Sequence, residues 1–171
     1  MGMTEVTGRG LVLLGCGKMG GAMLRGWLDD GLDPETVHVI DPHPAPWLSE
    51  AGVHVNADLP AAPAIVLIAV KPQMMDEALP ALRELGNGAT LVVSVAAGTT
   101  IATLEETLGA RTPVVRAMPN TPAAIGRGIT AITGNAHATA DHLDAAETLL
   151  SAVGQVVRLE SEDQMDAVTG L

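Results

Sequence analysis

Short apolar runs alternate with stretches of helical periodicity along this chain, and the runs are continuous rather than two-fold alternating. Continuous runs of this kind, rich in Val, Ile and Leu, mark strands buried on both faces. They fall at 11–14 (LVLL), 37–40 (VHVI), 53–55, 64–70 (AIVLIAV), 90–95 (TLVVSV), 113–118 (PVVRAM), 128–133 (GITAIT) and 155–159 (QVVRL). Between them the pattern predicts helices over 18–30, 47–51, 73–85, 100–108 and 141–153, the last stopped by Gly154. Pro80 lies inside the third of these and is expected to kink it. Strand–helix alternation of this sort predicts an α/β fold, a doubly wound and mostly parallel sheet with right-handed crossovers. Neither an internal repeat nor a low-complexity linker interrupts it.

The first run leads straight into LVLLGCGKMG, where Gly15, Gly17 and Gly20 are spaced G-x-G-x-x-G. In a Rossmann-like strand–turn–helix each glycine has a distinct task. Gly15 permits the tight turn, Gly17 lets backbone approach a pyrophosphate, and Gly20 lets helix and strand pack closely. The following helix aims its free N–H groups and positive dipole end at the phosphates. A glycine motif alone is weak in a chain with 19 glycines. Here it sits between an apolar strand and an Ala/Met/Leu/Trp helix, and a second strand ends at Asp41. Gly15, Cys16, Gly17, Lys18, Met19 and Gly20 are therefore the candidate phosphate-binding segment.

Composition narrows the classes. The chain has 171 residues, 47% of them hydrophobic, which suits one ordinary domain, or one domain with the start of another. A net charge of −11 argues against a nucleic-acid or anionic-membrane partner, which would call for clustered Lys and Arg. The core has to be built without Phe or Tyr and with only two Trp, so Ala, Val, Leu, Ile and eight Met must fill it. Lack of aromatics also counts against base stacking. A single cysteine, Cys16, excludes an internal disulfide framework. A helix N-terminus can lower a thiol pKa, but a small packing residue is the expected role of Cys16. The five His are scattered without metal-ligand spacing. No basic n-region or long apolar run marks a targeting or membrane segment, and cytoplasm is the expected compartment.

Ligands of doubly wound sheets lie beyond the carboxyl ends of the strands. Four such ends carry suggestive residues. Asp41 stands about 20 residues past the glycine motif, where an acidic side chain hydrogen-bonds the adenosine ribose and disfavours a 2′-phosphate. Lys71 and Pro72 close the run AIVLIAV, and a lysine there is costly to bury without an anionic partner. Small residues in SVAAGTTI (94–101) leave room for a flat ring against backbone. In RAMPNTPAAIG (116–126), Pro119 and Pro122 stiffen a loop presenting Asn120 and Thr121, able to hold a carboxamide or carboxylate.

Taken together and in this order, GCGKMGGAM, AVKPQMM, SVAAGTTI, RAMPNTPAAIG and MDAVTGL resemble pyrroline-5-carboxylate reductase over essentially the whole chain. That resemblance implies an oxidoreductase of proline biosynthesis that reduces a small cyclic imine with NADPH or NADH. It implies that Asn56, Ala69, Val70, Lys71 and Pro72 line the adenosine and ribose side. Ala96, Ala97, Gly98, Asn120 and Thr121 would flank the nicotinamide, and Glu162 would lie near substrate. Lys71, Asn120 and Thr121 are the candidate catalytic residues, and no metal is expected. Reduction of an already electrophilic protonated imine is mainly a matter of alignment, which fits the scarcity of acid–base sets.

Two features depart from the family pattern. Asp41 leans towards NADH where the family favours NADPH. The resemblance also implies a helical dimerisation domain beyond Leu171, so residues 1–160 are expected to form the nucleotide domain and 161–171 the start of a second, truncated one. On that reading residues 1–171 alone turn over weakly, and a homo-oligomer forms when the helical domain is present. A β-hydroxyacid dehydrogenase-like enzyme and a non-catalytic dinucleotide-binding module remain alternatives.

Overall fold

The computed structural model describes residues 3–86, 88–120 and 127–165. Eight strands form one sheet in the order β3-β2-β1-β4-β5-β6-β7-β8. These are β1 (Leu11–Leu14), β2 (Val37–Ile40), β3 (His54–Val55), β4 (Ile65–Ile68), β5 (Leu91–Ser94), β6 (Val114–Pro119), β7 (Gly128–Gly134) and β8 (Gly154–Arg158). The helices are α1 (Met3–Arg9), α2 (Lys18–Asp29), α3 (Trp47–Ala51), α4 (Met75–Ala78), α5 (Ile101–Leu108) and α6 (Ala140–Leu150). Every residue of β1, β4 and β5 is buried, as their unbroken apolar runs require.

Alternate side chains of these strands feed two cores. On one face Leu11, Leu13, Ile65, Leu67 and Val93 meet Met23, Leu24 and Trp27 of α2 and Leu149 of α6. On the other, Val12, Leu14, Val66, Ile68 and Val92 meet Leu79, Leu82, Leu104 and Leu108. Each fully buried aliphatic of this size contributes about 1.5–3 kcal/mol relative to exposure, so the aromatic-poor chain relies on many small terms. Trp27 adds one polar tie, its indole N–H donating to Leu149 O at 2.9 Å inside the core.

Three details differ from the sequence reading. β6 and β7 pair antiparallel, whereas the other neighbours are parallel. The connection from Pro119 to Gly128 is too short for the crossover of about a dozen residues that parallel pairing needs. The predicted helix over 73–85 is broken into a 3-10 turn (Pro72–Met74), the single α-helical turn α4 and a 3-10 run (Leu79–Leu85). Pro80 has no N–H to give the ladder, and its ring disfavours α geometry before it. Finally, α1 was not signalled by periodicity; it is fastened by buried Val6 and by Arg9, which donates to the carbonyls of Ala62 and Pro63.

Candidate functional site

Register places the site. Ile40, Leu14, Ile68, Ser94 and Arg116 stand side by side across β2, β1, β4, β5 and β6. The first residues past β2, β1, β4 and β5 therefore open onto one edge of the sheet, while β6 runs on to Pro119. Backbone bonds hold them level: Gly15 N donates to Ile40 O at 2.8 Å, Ala69 N to Leu14 O at 2.8 Å and Val95 N to Ile68 O at 2.9 Å. Between β1 and β4 the strand order reverses, which is where a doubly wound sheet leaves its crevice.

The glycine turn sits over that crevice, and its three glycines differ as the sequence predicts. Gly15 has φ +87°, and a Cβ there would stand 2.8 Å from Val70 Cγ1 and 3.0 Å from Ala69 backbone. At Gly20 a Cβ would stand 2.5 Å from Gly15 O, so only glycine lets α2 begin this close to the turn. A Cβ at Gly17 meets nothing within 4 Å: that position is open on the outside. Lys18 is exposed and Met19 packs against the core. No side chain caps α2 among the described residues. Its first N–H groups and dipole thus face the open side of Gly17, a cradle that fits a pyrophosphate.

Asp41 ends β2 beside this turn. Its Oδ2 accepts from Cys16 N at 2.9 Å and its Oδ1 from His43 N at 2.8 Å. Asn56, held at φ +51°, grips the backbone of the same residue. Its Oδ1 accepts from Asp41 N at 2.9 Å and its Nδ2 donates to Asp41 O at 2.8 Å. Thus two predicted ribose-side residues are assembled together, Asn56 acting on Asp41 rather than standing apart.

Cys16 is buried in the core, the packing role expected of it. Burial, with the Asp41 carboxylate alongside, pushes its thiol up to about 11, against a smaller opposing pull from Arg25. The helix N-terminus does not make it a thiolate. Arg25 itself lies with its guanidinium 4.3 Å from the centre of the Trp47 ring. Together with Lys18, His43 and Gly26 these residues line a cleft of about 860 Å³ running from the glycine turn along α2. Arg25 was not singled out from sequence, because one arginine on the polar face of a helix has no distinguishing pattern.

On the other side of the crevice, Ala69 and Val70 are half-buried, while Lys71 and Pro72 are exposed. Lys71 is thus exposed instead of buried at the strand end. Ala96 is buried, and Ala97 and Gly98 (φ +75°) form the exposed bend before α5. Asn120 follows β6 and accepts from Ile129 N at 2.9 Å through its Oδ1. Its predicted companion Thr121, with Pro122, lies outside the described residues, as does most of MDAVTGL.

Glu162 folds back onto this edge. One of its oxygens, Oε2, accepts from Ile101 N at 2.8 Å and from Arg116 Nη1 at 2.8 Å. Arg116 is only 8% exposed. Arg116 shares the one sequence signal of Lys71, a cation in an apolar strand that needs a partner, but nothing local identifies Glu162 as that partner. Among the described residues no helix is long and apolar enough to cross a membrane.

The model of the family described as NADP oxidoreductase coenzyme F420-dependent matches residues 10–98. Pyrroline-5-carboxylate reductase of Pseudomonas aeruginosa is 36% identical over 167 residues, covering 94% of this chain and 61% of that protein. The structure of a pyrroline-5-carboxylate reductase from Coxiella burnetii superposes with a TM-score of 0.87 at 30% identity, over 95% of this chain and 63% of that one. A Plasmodium falciparum pyrroline carboxylate reductase with NADP bound shares the fold, with a TM-score of 0.80 at 23% identity over 94% of this chain and 60% of that one. The chain thus spans about three-fifths of the length of the relatives it matches.

Proposed function

The chain belongs to the family described as NADP oxidoreductase coenzyme F420-dependent, and from that premise we propose that it serves the reduction of 1-pyrroline-5-carboxylate to L-proline with NAD(P)H, in proline biosynthesis. The observation that supports this best is the convergence of four segments on one sheet edge. The open glycine turn, Lys71-Pro72 and Ala96 to Gly98 follow strands that end in register, and Asn120 follows β6, which runs on to Pro119. The relatives at 30% identity and above named for this activity supply the substrate class.

In this reading the uncapped first turn of α2 and the open face of Gly17 receive the pyrophosphate. Asp41, fixed by Asn56, faces the adenosine ribose, and Ala69 to Pro72 form the wall opposite, with Lys71 offering a cation at the mouth. Ala96, Ala97 and Gly98 supply a flat, small-residue surface for the nicotinamide, and Asn120 and Thr121 hydrogen-bonding groups beside it. When bound, the dinucleotide held by these residues would supply the hydride for the imine carbon of a substrate whose ring nitrogen already carries a proton. The chain's own contribution is alignment: donor and acceptor carbons must be held about 3–3.5 Å apart. The sheet edge provides one wall of such a site. Residues 1–160 are read as the nucleotide domain, and the opposite wall is assigned to the part of the longer relatives that this chain does not cover.

The test is to follow absorbance of the reduced nicotinamide after adding 1-pyrroline-5-carboxylate. Residues 1–171 are expected to bind NADH or NADPH and to oxidise it slowly in an imine-dependent way. A protein of the relatives' full length carrying this sequence is expected to do so fast. No imine-dependent oxidation by that longer protein would contradict the substrate assignment.

A further inference from the structure

Glu162 is committed before any substrate arrives. Its Oε2 takes the N–H of Ile101, the first residue of α5, and the Nη1 of Arg116, each at 2.8 Å. The carboxylate thus lies on the positive end of an eight-residue helix and answers a buried guanidinium at the same time. Arg116 in turn stands beside Ser94 in the sheet register. Ser94 is fully buried, and its Oγ accepts from Ala96 N at 3.3 Å.

The bend between β5 and α5 is therefore pinned at both ends. At its start Val95 N donates to Ile68 O, and Ala96 N to the Ser94 hydroxyl. At its close Ile101 N is taken by Glu162, and Thr100 caps α5 through Thr103 N at 3.2 Å. Only Ala97 and Gly98 are exposed between these anchors, and a Cβ on Gly98 would meet nothing within 4 Å.

We propose that Glu162 is a positioning residue: it fixes the height of the Ala96, Ala97 and Gly98 bend against the nicotinamide by holding the start of α5 onto Arg116, and it does not itself meet the substrate. This rests on the reading of that bend as the nicotinamide-facing wall. The adenosine half lies across the switch point, on the glycine turn and Asp41, whose bonds involve neither Glu162 nor Arg116. Loss of the latch must then separate the two halves of the dinucleotide.

The experiment compares ADP and NADH binding by calorimetry for the unaltered protein, Glu162→Ala and Glu162→Gln, with a thermal melt of each. Glu162→Ala should weaken NADH about tenfold or more and leave ADP within about twofold. Glu162→Gln keeps an oxygen for Ile101 N–H and loses only the charge, so it should weaken NADH about threefold with ADP again unchanged. If the alanine variant does not fold, the ratio of NADH to ADP affinity in the glutamine variant decides. Equal losses for both ligands would make Glu162 a purely structural residue, and no loss for either would return it to the substrate side; each overturns the proposal. An unaltered protein that binds neither ligand refutes the nucleotide reading itself, and the proposal with it.

Discussion

The Asp41 carboxylate accepts the backbone N–H of Cys16 at 2.9 Å, so the end of β2 is tied directly to the glycine turn that follows β1. Its other oxygen accepts from His43 N, and Asn56 clasps its backbone on both sides. In the proposed reading the charge these bonds fix faces an adenosine 2′ substituent.

Cofactor choice follows from that charge. NADH is expected to bind at least as tightly as NADPH, and Asp41→Ser combined with Pro42→Arg should move preference towards NADPH. Paired titrations of both dinucleotides check this. A tenfold preference of the unaltered protein for NADPH, about 1.4 kcal/mol, would contradict the role given to Asp41.

Two of the three motif glycines should matter for stability. Gly15→Ala forces a side chain into a left-handed conformation against Val70, and Gly20→Ala pushes a methyl group onto Gly15 O. Each is expected to lower unfolding free energy by about 2–4 kcal/mol, measured by urea denaturation. Wild-type midpoints for both would mean the turn relaxes far more easily than its geometry implies.

Cys16 should make the fold sensitive to alkaline conditions. Its thiol keeps the proton up to about 11 in the folded state, against an ordinary value of 9.0. Between those values the folded protein holds a proton that the unfolded chain has lost, so raising pH favours unfolding. Stability is complete below about 9 and declines towards 11, and Cys16→Ala should flatten that decline. A thiol that reacts with a disulfide reagent at neutral pH as fast as a free cysteine would contradict the assignment.

Much of the fold was legible because its strands are buried on both faces, and burial writes itself as unbroken runs such as IVLI and LVVS. The short helix Trp47–Ala51 was equally plain between Pro46 and Gly52. Helix α1 was not, since MTEVTGR has no apolar stripe and owes its place to tertiary bonds made by Arg9. The break in 73–85 exceeds the kink that Pro80 predicts, because a proline with only a few helical residues on either side ends the α pattern altogether. At the site, the glycines and Asp41 were readable one by one from their spacing. The Arg116–Glu162 pair was not, because it joins residues 46 positions apart that no local pattern relates.

Central to all of this is the open face of Gly17, where backbone and α2 N–H groups are free to meet a pyrophosphate. Gly17→Val tests it most directly, since the new side chain points into open space: the fold should survive while the approach of phosphate is blocked. Calorimetric titration with NADH should show clear binding to the unaltered protein and at least a hundredfold loss, about 2.7 kcal/mol, in a variant whose melting temperature is unchanged. Equal affinity in the folded variant would show that the dinucleotide does not lie on this turn.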